Sequence, residues 1–442
     1  MNRRDLLAAA AAISMSPLAR ARAAEGDLRG AMREAFIYGL PLIEMAQARA
    51  RMLNPAAGAQ GAALNAFRHS RALSGAKDRA ITTPNNDTLY SSAWLDLTRG
   101  PVTLVIPPTG NRYISVAAMN MFTDNDAVLG TRTTGGQGGR YTLVGPGQPG
   151  LGPHTVRIAT PHAWLLARVL VDGPEDLAAT YKVQDGLQLT GPTVVAPSDT
   201  YASRRSPPLE FLASVGRLLQ SDPPPATDGA LFQRVAALGL RPHDGFAPAN
   251  LDAAALKALS AGVVDAIPII RGGAAGVAAD GWNYLPGDIG LFGQDYAFRA
   301  AVALGGLGAL PPVEAMYVNP VGDRGRMFTG PGPYRLSFPA GRLPPVDAFW
   351  SLTMYEGTPD GQFFLTENPI ARYSIGDRTP GLRRNPDGSL DLWLARGDPG
   401  GERTANWLPA PATGAFTVTM RAYLPRPELL DGRYRLPPIL SA

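Results

Sequence analysis

Between residues 27 and 53, apolar side chains recur every three or four positions, at Leu28, Met32, Ala35, Phe36, Leu40, Ile43 and Ala46. That spacing gives a helix one buried face. Pro41 falls within the pattern and predicts a kink or a division, because proline lacks an N–H and crowds the preceding turn. From residue 81 to 171 the period shortens to that of strands, at 102–106, 113–117, 140–144 and 165–171, with Pro107-Pro108-Thr109-Gly110 and Thr133-Thr134-Gly135-Gly136 between them. Short strands with frequent turns predict an antiparallel sandwich. Helical spacing returns over 209–219, 231–240 and 251–263, the last behind Asn250 as a candidate N-cap. Beyond about residue 310 the alternation is strict. Tyr334, Leu336 and Phe338 share one face, as do Leu390, Leu392 and Leu394, and Phe416, Val418 and Met420. The fold class expected is mainly β with a helical module: a sandwich, then helices from the N-terminus and the middle segment, then a second all-β unit.

The first 23 residues read differently. Asn2-Arg3-Arg4 precedes an apolar run from Leu6 to Met15, and Ala21-Arg22-Ala23 has the small-x-small form of a cleavage site. This predicts a signal peptide and export to the periplasm or beyond. Arg3-Arg4-Asp5-Leu6-Leu7, with its Ala-rich core, favours the twin-arginine type over an ordinary secretory signal. The run is too short to span a bilayer, and no later apolar run was expected to reach the ~20 residues a transmembrane helix needs. The resulting division is a signal peptide at 1–23, an N-terminal helical part at 24–75, a β-sandwich at 76–198, a helical segment at 199–305 packing with the N-terminal helix, and a C-terminal jelly-roll domain at 306–442.

Composition narrows the function. The 442 residues hold 50 Gly and 42 Pro, too many breakers for a bundle or solenoid, and 45% hydrophobic residues, enough for a core. With no Cys, disulfides, thiol nucleophiles and iron–sulfur ligation are excluded. The net charge of +4 owes much to Arg3, Arg4, Arg20 and Arg22, and no basic stripe remains for nucleic acid. Gly145, Gly147 and Gly150 match G-x-G-x-x-G, but Pro146, Pro149 and Pro153 prevent the helix that would present amides to a pyrophosphate. A glycine–proline hairpin loop is expected instead. His69, His154, His162 and His243 stand apart, and Asp124-Asn125-Asp126 lacks the later Gly and Glu of a calcium loop, so an Asx-turn is expected there. No cofactor or metal is implied.

The densest polar run is Thr82-Thr83-Pro84-Asn85-Asn86-Asp87-Thr88-Leu89-Tyr90. In a functional reading Asp87 is a general base and Tyr90 a donor, with Asn85 and Asn86 orienting a polar ligand. In an architectural reading the same side chains cap turns and bond local amides.

Several strings resemble a known bacterial family: Ala35-Phe36-Ile37-Tyr38-Gly39-Leu40-Pro41-Leu42, Thr83 to Tyr90, Ala348-Phe349-Trp350-Ser351-Leu352-Thr353-Met354-Tyr355, Asn406-Trp407-Leu408-Pro409 and Arg421-Ala422-Tyr423. Together they are similar to the paired domains of unknown function 1254 (N-terminal) and 1214 (C-terminal). The resemblance implies an immunoglobulin-like sandwich, a C-terminal jelly roll and a helical module, and supplies no catalytic residues. Tyr, Trp, Asn and Arg in these strings combine stacking with hydrogen bonding. They point to a small-molecule or saccharide ligand in a cleft between the β-domains, bound or else hydrolysed or eliminated, with Asp87 and Tyr90 as catalytic candidates and Asn85, Asn86, Arg421 and Tyr423 as ligand-binding ones. The alternative is a non-enzymatic envelope scaffold or homo-oligomer.

Overall fold

The computed structural model describes residues 17–54, 61–79, 82–150, 152–248, 251–324, 327–359 and 362–442, the side chains of 17–26 excepted. The expected leader core and Asn250 lie outside the described residues. The expected cleavage site at 21–23 falls within the first helix.

That helix, α1 (Pro17–Leu53), is continuous through Pro41, so the predicted division does not occur. Losing one intrahelical bond is tolerated because the helix is packed almost all round: Phe36, Tyr38, Leu40, Leu42, Ile43 and Met45 are all buried. The other helices of ten residues or more among the described residues are α2 (Leu177–Gly186), α3 (Pro208–Ser221), α4 (Ala253–Gly273) and α5 (Tyr296–Gly306). Phe36 meets Phe211 of α3 with ring centroids 4.7 Å apart. A Cβ on Gly39 would lie 2.6 Å from the Val215 side chain, so only glycine admits this crossing. The segment 231–240, expected as one helix, breaks into the short helix Gly229–Arg234, a 3-10 turn and strand residues from Leu240, because Gly239 takes φ 78°. α4 is capped by Asp252, which accepts from the Ala255 amide. It is 21 residues long and its most apolar 18-residue stretch has a mean hydropathy of 1.7, enough by length and composition to cross a membrane, contrary to expectation. Its small residues fit it equally to packing, and Ala258, Leu259, Gly262 and Ala266 are buried in the helix layer.

The sandwich is built from β1 (Thr88–Asp96), β2 (Val102–Ile106), β3 (Ile114–Asn120), β4 (Asn125–Gly130), β5 (Gly139–Val144), β6 (Thr155–Arg157), β7 (His162–Leu170) and β8 (Gln188–Thr190). One sheet runs Arg68–His69, β1, β7, β3, β4; the other runs β6, β5, β2, β8. Leu95, Leu104, Ile106, Val116, Leu165 and Val169 fill the space between them. β5 and β6 pair in parallel, so the 145–150 loop is a crossing connection rather than the expected hairpin.

The C-terminal unit contains β9 (Trp282–Tyr284), β10 (Ala315–Pro320), β11 (Tyr334–Phe338), β12 (Val346–Gly357), β13 (Ser374–Gly376), β14 (Leu390–Ala395), β15 (Trp407–Pro409), β16 (Phe416–Pro425) and β17 (Ile439–Ser441). A curled sheet runs Val277–Ala279, β9, β10, β16, β12 and Phe363–Phe364, with β13 also on β12; a four-stranded sheet runs β15, β14, β11, β17. The core between them takes Trp350, Leu352, Val418, Met420, Leu336, Phe338, Leu392 and Leu394, the faces that alternation predicted. The strands at 277–279 and 282–284 join this sheet from within the segment read as helical. The architecture is thus a mainly β fold with a helical module.

Candidate functional site

Alternation predicts a polar, wet face on β16 opposite its core face. That face is polar but not wet, since Thr417, Thr419, Arg421 and Tyr423 are all buried. Register places Tyr423, Arg421 and Thr419 beside Phe349, Ser351 and Thr353 of β12. Tyr317 of β10 lies beside Arg421 on the other side. The covering layer is the polar run entering β1, together with the outer face of the sandwich.

The Thr83 and Pro84 carbonyls and the Asn85 and Asp87 side chains of that run reach across the seam. The Tyr355 hydroxyl donates to the Pro84 carbonyl at 2.8 Å. Arg421 donates from one nitrogen to Thr353 Oγ1 at 2.8 Å and from the other to the Thr83 carbonyl at 3.1 Å. Thr83 holds that carbonyl in place with φ 49°, a left-handed conformation uncommon for a β-branched residue. Asn85 Nδ2 donates to the Tyr423 hydroxyl at 2.7 Å. Asp87 accepts from Ser351 Oγ at 2.6 Å and Ser374 Oγ at 3.4 Å, with Arg378 Nη2 at 3.6 Å. Phe349 stacks on Tyr423 at 4.2 Å between centroids, and Tyr113 meets both edge-on.

From the sandwich side, β1 and β7 place Tyr90 directly opposite Arg168. Arg168 is 5% exposed, and its guanidinium lies 5.2 Å from the centre of the Tyr90 ring. Nη2 donates to the Gly308 carbonyl at 2.5 Å, while Nη1 has no partner among the described residues. Gly308 takes φ 88° and packs against Leu166 and Trp164, a place a side chain could enter only with strain. Nearby, Glu314 accepts from Tyr113 at 2.9 Å and from Arg132 at 2.7 Å. Tyr90 and Tyr317 are half-buried, the least covered aromatic side chains of the cluster. Burial raises the Tyr113, Tyr317, Tyr355 and Tyr423 phenols above their usual range, which keeps them protonated as hydrogen-bond donors.

Five of the six expected site residues therefore come together: Asn85, Asp87, Tyr90, Arg421 and Tyr423. Asn86 does not; its Nδ2 donates to the Ser74 carbonyl at 2.6 Å. Asp87 is 4% exposed and occupied on both oxygens, a geometry in which it fastens β12 and β13 rather than facing an open site. Sequence reasoning missed Arg168, Tyr317, Ser351 and Arg378. Arg168 carried a legible signal, as the single cation within the apolar run 165–171.

The remaining candidates are structural in their contacts. His162 is buried between Asp222, 3.0 Å from Nδ1, and Asp96, 3.6 Å from Nε2. Burial opposes its charged form, but the two carboxylates outweigh burial and raise it to about 9. The Asx-turn expected at Asp124-Asn125-Asp126 does not form there, since those side chains bond Phe292, Arg299, Ala309, Asn120 and Ala159; the turn just before is held instead by Asn120, whose Oδ1 accepts from Phe122 and Asp124. Asp126 accepts from Asn120 and Ala159, and burial raises it to about 6. A groove of about 690 Å³ lies elsewhere, lined by Tyr201, Glu210, Arg217 and Phe246 among others, and Arg217 there is engaged by the Thr200 carbonyl.

Residues 64–191 match the model for the protein of unknown function DUF1254, and residues 314–427 match that for DUF1214. The chain belongs to this paired family. Every seam residue named above lies within one matched segment or the other, apart from Gly308 in the connecting stretch, so the cluster is assembled where the DUF1254 and DUF1214 parts meet. The VPA0106 protein from Vibrio parahaemolyticus has a similar structure, with TM-score 0.69 and 22% identity over 94% of this chain and 100% of that one, which shows a shared fold. A putative uncharacterized protein from Burkholderia cenocepacia aligns at TM-score 0.44 and 14% identity over 89% of this chain and 85% of that one. No curated protein matches this DUF1254–DUF1214 chain.

Proposed function

We propose that this protein binds a polar small molecule or saccharide at the seam between its two β-units, reached past Tyr90 and Tyr317. The observation supporting this is Arg168: a buried guanidinium with one nitrogen unpartnered beside a half-buried tyrosine. Buried donors left unpaired cost about 1–3 kcal/mol, more when charged, and such a group is a place where a ligand atom repays the cost. Tyr90 is the donor to the ligand, and Asn85, Arg421 and Tyr423 shape the floor. If the protein is an enzyme, elimination suits these groups better than hydrolysis by paired carboxylates, which needs two free carboxyls flanking the bond. Residues 1–23 support an exported location for this activity.

The second reading is architectural. It rests on Asn85 and Asp87, whose partners all lie within the chain, and it makes the seam a fastener in a scaffold or homo-oligomer. Thermal-shift screening of the purified chain against saccharides and organic acids separates the two. Binding predicts a rise in midpoint for a specific compound, with ~2.7 kcal/mol added at a hundred times its dissociation constant. That rise should be lost in Tyr90→Phe and Arg168→Met. A flat response across the panel favours the scaffold.

A further inference from the structure

Resting on that reading of the seam, we infer that the ligand presents a carboxylate, and that Arg168 and Arg421 recognise it from opposite walls. Each arginine sits on a strand flanked on both sides, β7 between β1 and β3, and β16 between β10 and β12. Their side chains are 5% and 4% exposed. A guanidinium is placed in such a position at a cost of several kcal/mol unless an anion or a full set of acceptors compensates it. Among the described residues neither makes an ion pair: Arg168 has only the Gly308 carbonyl and the Tyr90 ring, with Nη1 left over, and Arg421 is held by Thr353, the Thr83 carbonyl and the Tyr355 phenol.

The acids of the seam are committed elsewhere. Asp87 lies against Arg378, and Glu314 against Arg132. Neither Arg168 nor Arg421 therefore has a carboxylate of its own within ion-pair distance, and Glu314 and Asp87 act on them only from farther off. Tyr317 links the two arginines, since its phenol lies within electrostatic reach of both guanidiniums. The phenols of Tyr317 and Tyr423 are held protonated, so each has an O–H to offer. A planar anion with two acceptor oxygens fits a fork of N–H donors better than a neutral polyol does, because a polyol must also donate.

The test is isothermal titration calorimetry on the full chain with matched acid and neutral probes: galacturonate against galactose, trigalacturonate against its methyl ester, succinate against succinamide, and inorganic phosphate. The expected result is binding of at least one carboxylate, at least about a hundredfold tighter than its neutral partner. Galacturonate forms binding while succinate does not would identify an acidic saccharide; succinate alone would identify a free organic acid; either supports the inference. Arg168→Met should abolish that binding while the protein stays folded, and Tyr90→Phe, which keeps the ring under the guanidinium, should weaken it by about tenfold. Should Arg168→Met fail to fold, Arg168→Lys keeps the charge without the fork and is expected to lose most of the preference for acid over neutral partner. Equal binding of acid and neutral probes would overturn the carboxylate while leaving the proposed binding function standing. Binding of phosphate with no carboxylate bound would also overturn it. Binding of none of the probes, with the thermal-shift panel also flat, would overturn both.

Discussion

Replacing Asp87 by alanine tests whether the polar run acts as a fastener. In the native seam its carboxylate accepts from Ser351 at 2.6 Å and Ser374 at 3.4 Å and faces Arg378 at 3.6 Å, while only 4% exposed. A hydrogen bond to a buried charged acceptor contributes about 1.5–3 kcal/mol, and removing one partner of a buried ion pair costs about 3–5 kcal/mol because the other is left uncompensated. Arg378 keeps the Val171 carbonyl and Asp172 as partners, at 2.9 and 3.5 Å, which softens the loss. Asp87→Ala should therefore cost about 3–4 kcal/mol. Asp87→Asn retains an oxygen for Ser351 and should cost about half as much. Urea unfolding followed by tryptophan fluorescence measures both. A loss below about 0.5 kcal/mol for Asp87→Ala, the size of an ordinary surface change, would refute the reasoning. An Asp87→Asn variant as damaged as Asp87→Ala would show that charge, rather than the hydrogen bond, holds the strands.

Other predictions come from separate parts of the molecule. Arg168→Met should be neutral or stabilising by up to about 2 kcal/mol, since the removed desolvation offsets the lost Gly308 bond and ring contact; a loss of 3 kcal/mol or more in urea would mean the guanidinium is structural. His162 is raised from 6.5 to about 9 in the fold. Its pairing therefore stabilises fully below pH 6.5 and is lost as pH rises through about 9, on the order of 3 kcal/mol in all, and His162→Gln should flatten that slope between pH 6.5 and 9.5 in urea midpoints. Gly39→Ala should cost about 1–3 kcal/mol through its clash with Val215, and a thermal midpoint equal to wild type would contradict the close crossing of α1 and α3. Asn86→Ala should cost less than Asn85→Ala, because Asn86 holds one partly exposed carbonyl while Asn85 spans the seam; the reverse order would contradict the assignment.

The strands were legible because alternation is a local property. Leu336, Leu392 and Met420 declared their faces without knowledge of their neighbours. The opposite face of β16 was not legible, since nothing local to Thr417, Thr419, Arg421 and Tyr423 says that a run more than 300 residues earlier covers it. Asn85, Asp87 and Tyr90 were nevertheless picked out, because a dense set of Asn, Asp and Tyr before a strand is unusual whether it binds a ligand or a second sheet; Arg421 and Tyr423 stood out only through the family strings, and Thr417 and Thr419 did not stand out at all. What sequence could not supply was the division of labour. Asp87 is occupied by Ser351 and Ser374 of the other unit, Asn85 by Tyr423 across the seam and by Thr88 and the Asp87 amide on its own side, and Asn86 turns away. Arg168, buried inside an apolar run, is left with a spare donor. Pro41 misled for a related reason: a helix with packing on every side survives a missing hydrogen bond that would divide an exposed one. The apolar length of α4 was hidden because Lys257 and Asp265 interrupt it, yet its Ala, Leu, Val and Ile residues sum to an apolar helix, and Gly262 lets it approach the α1 backbone closely.

The central claim is that the unmatched guanidinium of Arg168 marks a binding site at the seam. The most direct measurement is a high-resolution crystal structure of the protein with the acid probe that binds tightest in calorimetry. A carboxylate should lie between Arg168 and Arg421, with an oxygen within about 3.2 Å of Arg168 Nη1 and another near Tyr90 or Tyr317. A probe seated in the groove beside Tyr201 and Arg217, with Arg168 Nη1 satisfied by a fixed water, would contradict it.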